Sequence, residues 1–145
     1  MPFTTSESNK ILNWALGKSD ALAEKSEIWM ALLKNDPEAE NGAIDELSGD
    51  TYERVLINRH GDTYPALIGV ASDRVIKNTA QINWTKALTN WPEVKGIALF
   101  TAKVGGEPYY YAKVPTPFVT EAGDVALFEA GNFQIALLDT DIDIT

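Results

Sequence analysis

The sequence feature that most constrains the fold is a pair of adjacent glycines between two runs of strand-forming residues. Gly105 and Gly106 separate an apolar run, Gly96–Phe100, from an aromatic run, Tyr109–Ala112. Paired glycines supply the positive φ angles that a tight chain reversal needs, so this pattern predicts a β-hairpin. Side chains alternate between the two faces of a strand, and both faces carry bulky residues here. We therefore expect the hairpin to lie centrally in a sheet that is covered on both sides.

The rest of the chain consists largely of short strand-like segments separated by turn residues. Further strands are predicted over Glu27–Leu33, Thr51–Asn58, Tyr64–Ala71, Val75–Asn83, Val125–Ala130 and Phe133–Leu138. Short strands at such regular spacing are typical of an antiparallel β-sandwich or jelly roll. No repeat, low-complexity segment or linker interrupts the 145 residues. The prediction is one mostly β domain, sandwich-like or jelly-roll-like, over residues 1–145.

A short amphipathic helix is predicted before the first strand, over about residues 5–17. Thr4 and Glu7 have the spacing of a capping box, and Gly17 suits the position after a helix end. The apolar residues at helical spacing are Ile11, Leu12, Ala15 and Leu16, with Trp14 beside them. A helix this short is only marginally stable alone. Its apolar stripe must therefore pack against the sandwich of its own subunit or against a neighbouring subunit.

The C-terminal arm, residues 139–145, has the periodicity of a strand with one polar face. Ile142 and Ile144 alternate with aspartates. Terminal strands often pair with the exposed sheet edge of a neighbour, although a last strand or frayed end of the same subunit has the same pattern. The side chains that we predict at a subunit interface are Ile11, Trp14, Leu16, Ile142 and Ile144.

Composition argues against several classes of function. The chain has no cysteine and one histidine, His60, so thiol catalysis and transition-metal sites have almost no side chains available. No nucleophile motif is present, and we predict no enzymatic activity, no cofactor and no metal. The net charge of −9 and the scattered Lys and Arg residues argue against nucleic-acid binding. No apolar run approaches the ~20 residues of a membrane helix, and the N-terminus has no secretion-signal pattern.

Two groups of residues leave functional alternatives open. Acidic side chains crowd one segment, where a Ca²⁺ site and a solvated acidic loop are the alternatives: Asp36, Glu38, Glu40, Asp45, Glu46, Asp50 and Glu53. Aromatic side chains are also abundant: Trp14, Trp29, Trp84, Trp91, Tyr109, Tyr110 and Tyr111. We favour packing in the core or between subunits for these aromatics over a platform that stacks on sugars.

Several segments share their order and spacing with a known sequence pattern over roughly residues 11–138. They are Ile28–Leu33, Gly49–Arg54, Asn78–Ala80, Trp84, Ala87, Trp91, Gly96–Phe100, Tyr110–Val114, Val119–Gly131 and Phe133–Leu137. Together they resemble a widespread family of small phage structural proteins, usually labelled tail-fibre or minor virion proteins. The chain differs from that pattern at Pro92, where the family usually has glycine, and in the acidic loop over residues 36–50.

The resemblance implies a virion structural protein that is made in the host cytoplasm. Such a protein self-associates, as a dimer or trimer, and binds other virion proteins. We favour a capsid decoration (cement) protein, because the chain is compact and has no fibrous segment. A tail-fibre, spike-base or head-fibre component is the alternative. A carbohydrate-binding jelly roll for host recognition is a rival from another class, and it predicts exposed aromatic side chains in a groove.

Overall fold

The computed structural model describes residues 3–20, 22–60 and 67–136. In these ranges the chain forms one helix and eight strands: α1 Thr5–Ala15, β1 Glu27–Leu33, β2 Val55–Arg59, β3 Val75–Lys77, β4 Ile82–Asn83, β5 Val94–Phe100, β6 Tyr110–Phe118, β7 Leu127–Phe128 and β8 Gln134–Ala136. All strand pairs are antiparallel. The predicted mostly β, antiparallel fold with a short N-terminal helix is confirmed. Jelly-roll connectivity stays a prediction.

The largest sheet contains four strands in the order β2-β1-β5-β6. Strand β1 pairs with β5 from Trp29 opposite Phe100 to Leu33 opposite Gly96. The predicted hairpin is present, and both tip glycines have positive φ, 70° at Gly105 and 76° at Gly106. Its predicted central position is correct for β5 and wrong for β6, which is the last strand of this sheet. The prolines in the second half of β6 explain this position, because a residue without an N–H group is tolerated at a sheet edge.

Both faces of the four-stranded sheet are covered, as the alternating pattern predicts. One face carries Met30, Leu32, Ile97 and Leu99 and packs in the main core with the second layer of the molecule. The opposite face carries Ala31, Leu33, Ala98 and Phe100, and Trp29, Ile44 and Tyr111 pack against it. Part of this second cover, including Ile44, comes from the loop after β1, so the acidic loop helps to close the core.

The second layer consists of two short strand pairs, β3 with β8 and β4 with β7. The prediction of one long strand over Val75–Asn83 is wrong, because the buried Asn78 interrupts it. The Asn78 side chain donates to the Ala80 and Glu129 carbonyls and accepts from the N–H groups of Gly131 and Phe133. These bonds replace the regular ladder, so the chain turns away after Lys77.

Other predicted strands also differ in length. Strand β2 begins at Val55, because the chain from Gly49 to Tyr52 forms a turn closed by the Tyr52 N–H and the Gly49 carbonyl, 3.1 Å apart. Of the strand predicted over 64–71, residues 64–66 lie outside the described residues, and the rest contributes a single bridge from Ile68 to Asn78. The strand over 125–130 contracts to β7. The last predicted strand is represented by β8, with residues 137 and 138 outside the described ranges.

Candidate protein-binding interface

The first turn of α1 is attached to the start of β6. Thr4 caps the helix, because its hydroxyl accepts from the Glu7 N–H at 3.2 Å. The Thr4 N–H donates to the Tyr109 carbonyl at 3.0 Å, and Phe3 forms a single antiparallel bridge with Tyr110. The rings of Phe3 and Tyr110 meet edge to face with centroids 5.1 Å apart. The predicted Thr4 cap is therefore present, but the reciprocal bond of a capping box is replaced, because the Thr4 N–H donates to Tyr109 and the Glu7 carboxylate pairs with Lys25.

A buried ion pair reinforces this attachment. The Glu7 carboxylate is buried and lies 3.2 Å from the Lys25 ammonium group. The same ammonium lies 4.4 Å from the centre of the Tyr109 ring, a cation–π geometry. Burial and, secondarily, the negative charge of Glu7 raise the pKa of Tyr109 above its ordinary value. The first half of α1 is thus held by polar and aromatic contacts.

The second half of α1 projects from the molecule with its apolar side chains uncovered. The exposed fractions are 58% for Leu12, 50% for Trp14 and 74% for Leu16, whereas Ile11 is half-buried. Leu12 and Leu16 lie one turn apart on one flank, and Trp14 lies on the opposite flank, because residues two apart are about 200° apart around a helix. We call Leu12, Trp14 and Leu16 the helix-tip surface. Of the five predicted interface residues, Ile142 and Ile144 lie outside the described residues.

A second apolar surface lies at the other end of β6, and the sequence did not reveal it. A shallow groove of about 450 Å³ is lined by Phe118, Val119, Thr120, Gly123, Asp124, Val125, Ala126 and Leu127. Val119, Val125 and Leu127 are exposed there. We call these lining residues the β6-end groove. Most of these residues lie in a loop and one lies in the short strand β7, so the patch has no helical or strand periodicity in the sequence.

The acidic loop places its carboxylates singly rather than around a common point. Asp36 accepts from the backbone N–H groups of Glu38 and Ala39. Glu38 accepts from the Lys113 N–H at 2.8 Å, and Glu40 accepts from the Asn35 amide at 2.9 Å. Over the described ranges, no group of three or more Asp, Glu, His or Cys side chains is placed to hold a metal ion. Glu38, Glu40 and Asp45 remain exposed, as a solvated acidic loop requires, and Glu38 and Glu40 also make specific contacts within the protein.

The end of the acidic loop forms a buried polar cluster around Arg54. Its guanidinium makes two bonds to the Glu46 carboxylate, both of 3.0 Å, and lies 3.5 Å from the centre of the Phe100 ring. It also donates to the carbonyls of Ala102 and Gly105 in the hairpin tip, at 2.9 and 2.8 Å. This role of Arg54 was not predicted from the sequence, although Gly49–Arg54 is one of the segments that carry the family resemblance.

Tyr52 completes the cluster and connects it to β1. Its hydroxyl donates to Glu46 at 2.7 Å and accepts from the Leu32 N–H at 3.0 Å. Burial raises the pKa of Tyr52 far above its ordinary value, and the bond to Glu46 adds to the rise. The hydroxyl therefore stays protonated at any physiological pH. The cluster is structural, because each polar atom is directed at another part of the fold.

Most of the aromatic side chains pack in the core. Trp84, Trp91 and Tyr110 are buried. Trp84 contacts Phe128 edge to face, and Trp91 contacts Tyr52 in the same geometry. Trp14 is the tryptophan with a half-exposed side chain. The predicted preference for packing is confirmed for the buried members of the group.

His60 lies at the end of β2, exposed, with its imidazole 3.0 Å from the Glu24 carboxylate. Its neighbours 61–66 lie outside the described residues. Across the part of the chain that the structure describes, no helix has the length and apolar character needed to cross a membrane.

Comparison with known families identifies a match over nearly the whole chain. The model of a family described as "Podophage GP4 fiber I protein gp80" matches residues 2–136. That range includes α1, the eight strands, the helix-tip surface and the β6-end groove. A search of curated proteins finds no match for the chain.

Proposed function

The chain belongs to the podophage GP4 fiber I protein gp80 family and is a phage virion structural protein of the fibre class, within which we propose that it acts without catalysis, by binding its neighbours in the particle. Its proposed role is to link virion proteins to one another. The host cytoplasm is the place of synthesis, and the virion is the place of function.

The observation that carries this proposal is the helix-tip surface. Three large apolar side chains at the end of α1 are each at least half exposed among the described residues. A helix that is apolar on both flanks is usually buried in its working state. Fully burying such a side chain contributes roughly 1.5–3 kcal/mol, before the cost of ordering is subtracted. These side chains therefore suit a contact with another protein chain.

The family favours a fibre component over the capsid decoration protein that compactness suggested. The matching family is described as a fibre protein, whereas no separate feature of the described residues favours decoration. We place the chain in a tail or head fibre. The decoration role stays a prediction that particle imaging decides.

Two other assignments are less consistent with the surface. Sugar stacking requires an open aromatic platform, but Trp84, Trp91 and Tyr110 are buried. Nucleic-acid binding requires clustered cations, and the net charge of −9 opposes it. The acidic surface suits a protein on the outside of a particle, away from the packaged genome.

The test uses phage particles whose genome encodes variants of this chain. Leu12→Ser combined with Leu16→Ser removes two apolar side chains from the helix-tip surface, and Val70→Ser is the matched control at another exposed apolar position. We expect normal folding of both proteins, a strong loss of the double variant from purified virions and normal incorporation of the control. Antibody labelling of wild-type virions should place the chain on a fibre.

Three results would contradict the proposal. Equal incorporation of the double variant and the control would show that α1 is not the contact. Label distributed over the capsid shell would support decoration. Absence of the chain from purified virions would remove it from the structural proteins of the particle.

A further inference from the structure

The base of α1 and the β6-end groove lie at opposite ends of strand β6. Phe3, just before α1, pairs with Tyr110 at the first residue of the strand, whereas the groove begins at Phe118, its last residue. Nine residues of strand span on the order of 25 Å. No residue of α1 lines the β6-end groove, so the helix of one copy does not occupy the groove of the same copy.

The two surfaces also differ in charge. Lys10 and Lys18 flank the projecting half of α1, and the Glu7 carboxylate is paired with the Lys25 ammonium group. Glu121 and Asp124 lie at the groove, and residues 114–136 contain three acidic side chains and no Lys or Arg. Asp20 lies close to the helix tip, beside Lys10 and Leu22. A basic apolar surface thus has an acidic apolar counterpart on the same molecule.

The positions of the apolar side chains on α1 argue against a symmetric pairing of two helices. Side-by-side packing of α1 with its copy would cover either Leu12 and Leu16 or Trp14, because these lie on opposite flanks. End-on docking of the last helical turn can bring side chains of both flanks against one surface. The turn that lines the groove is held to the rest of the fold, since Ala87 exchanges backbone hydrogen bonds with Gly123 and Asp124 at 2.7 and 2.9 Å.

We infer that the helix-tip surface of one copy docks in the β6-end groove of a second copy, so that copies join head to tail. The partner is a second copy of this chain, and the contact is heterologous, because two different surfaces meet. Repetition of such a contact gives a ring or a linear array according to the rotation between copies. The inference deepens the proposed function, since it names the partner of the helix-tip surface.

The decisive experiment uses two variants that each lose one surface. The helix variant carries Leu12→Ser and Leu16→Ser, and the groove variant carries Val119→Ser and Val125→Ser. All four side chains are exposed, so both proteins should melt close to the wild type. Sedimentation velocity is measured for the wild type, for each variant and for their equimolar mixture.

Head-to-tail joining predicts one specific pattern. The wild type forms oligomers, each variant alone is monomeric, and the mixture forms a heterodimer of one copy of each, because each variant retains the surface that the other lacks. Self-association of the groove variant alone would overturn the inference in favour of a symmetric contact through α1. A mixture that stays monomeric would overturn it as well.

A charge exchange tests the same contact without removing apolar side chains. Lys10→Glu with Lys18→Glu, and separately Glu121→Lys with Asp124→Lys, should each weaken self-association by about tenfold or more, because like charges then face each other. Mixing the two charge variants should restore association, and failure to do so would overturn the inference.

The failure of this inference can be distinguished from the failure of the proposed function. A wild-type chain that remains monomeric up to about 1 mM, where even a weak contact is populated, would overturn head-to-tail joining. If virions still lost the Leu12→Ser, Leu16→Ser variant, the helix-tip surface would bind a different virion protein. Normal incorporation of that variant would refute the proposed function itself.

Discussion

Replacing Arg54 by methionine tests whether one buried guanidinium holds the hairpin tip to the acidic loop. The Arg54 side chain is 7% exposed, and its partner Glu46 is 24% exposed. Methionine preserves much of the side-chain length but removes the charge and all four hydrogen bonds to Glu46, Ala102 and Gly105. Among the described residues, the Glu46 carboxylate then retains only the Tyr52 hydroxyl as a partner.

The expected loss of stability is about 3 kcal/mol. Removing one member of a buried ion pair costs roughly 3–5 kcal/mol, because the other charge is left without compensation. Partial exposure of Glu46 moves the estimate to the lower end of that range. Loss of the stacking on Phe100 acts in the same direction, whereas the apolar methionine side chain recovers some packing.

Urea unfolding followed by tryptophan fluorescence measures this loss. With a denaturant slope of about 2 kcal/mol/M, the unfolding midpoint should fall by roughly 1.5 M. Arg59→Met is the matched control, because the Arg59–Glu27 pair is 38% and 36% exposed. Exposed pairs contribute about 0–1 kcal/mol, so the control should shift the midpoint much less. Arg54→Lys should fall between the two, since it keeps the charge without the planar fork.

Equal shifts for Arg54→Met and Arg59→Met would refute the reasoning. The buried cluster would then contribute no more than a surface pair. Hydrogen exchange offers an independent measure: amides over residues 102–106 should exchange faster in the Arg54→Met variant only, because the tip loses its two carbonyl contacts.

Four further predictions follow from other parts of the molecule. Gly106→Val should cost roughly 1–2 kcal/mol in urea unfolding because of its positive φ, whereas Gly106→Asn, which tolerates that conformation, should cost less. Asp50 accepts from the Trp91 indole and from two backbone N–H groups, which lower its pKa below 3.8. Above that pH the charge of Asp50 stabilises the fold, so the wild type should be more stable than Asp50→Asn at pH 7. The difference in stability should vanish as pH falls through the lowered pKa of Asp50. A difference that grows in acid would contradict this reasoning. Melting with and without EDTA should coincide, and a fall of several degrees would reveal a cation site. Deleting residues 139–145 should leave the melting temperature nearly unchanged and weaken association, whereas failure to fold would make the arm a core strand.

Local pattern was a reliable guide where short-range geometry controls the outcome. The Thr4 cap and the Gly105–Gly106 reversal depend on a few neighbouring residues, and both form as predicted. The two-sided cover of the sheet also follows from local pattern, because alternation places bulk on both faces of β5. Strand lengths were less predictable, since a single buried amide at Asn78 ends β3.

The candidate interface divides in the same way. Sequence alone identified α1 and its apolar stripe, and it named Ile11, Trp14 and Leu16 as candidates. Tertiary structure decided which of these remain uncovered, because exposure depends on where the first turn of the helix is anchored. The β6-end groove was not predicted although its residues lie within 118–127, because their exposure depends on how the turn between β6 and β7 is held against the rest of the fold.

What the sequence by itself determined is the set of interactions set by residues close together in the chain: the helix start, the hairpin reversal, the alternation along β5 and the net charge of −9. What only the tertiary structure decided is how distant residues combine. The carboxylates of the acidic loop resemble a cation site in sequence, yet they are directed to partners such as Arg54 and the Lys113 N–H. The physical reason is that the partner of a polar or apolar side chain is chosen by packing over the whole chain, and periodicity contains no information about which distant surface will lie beside it.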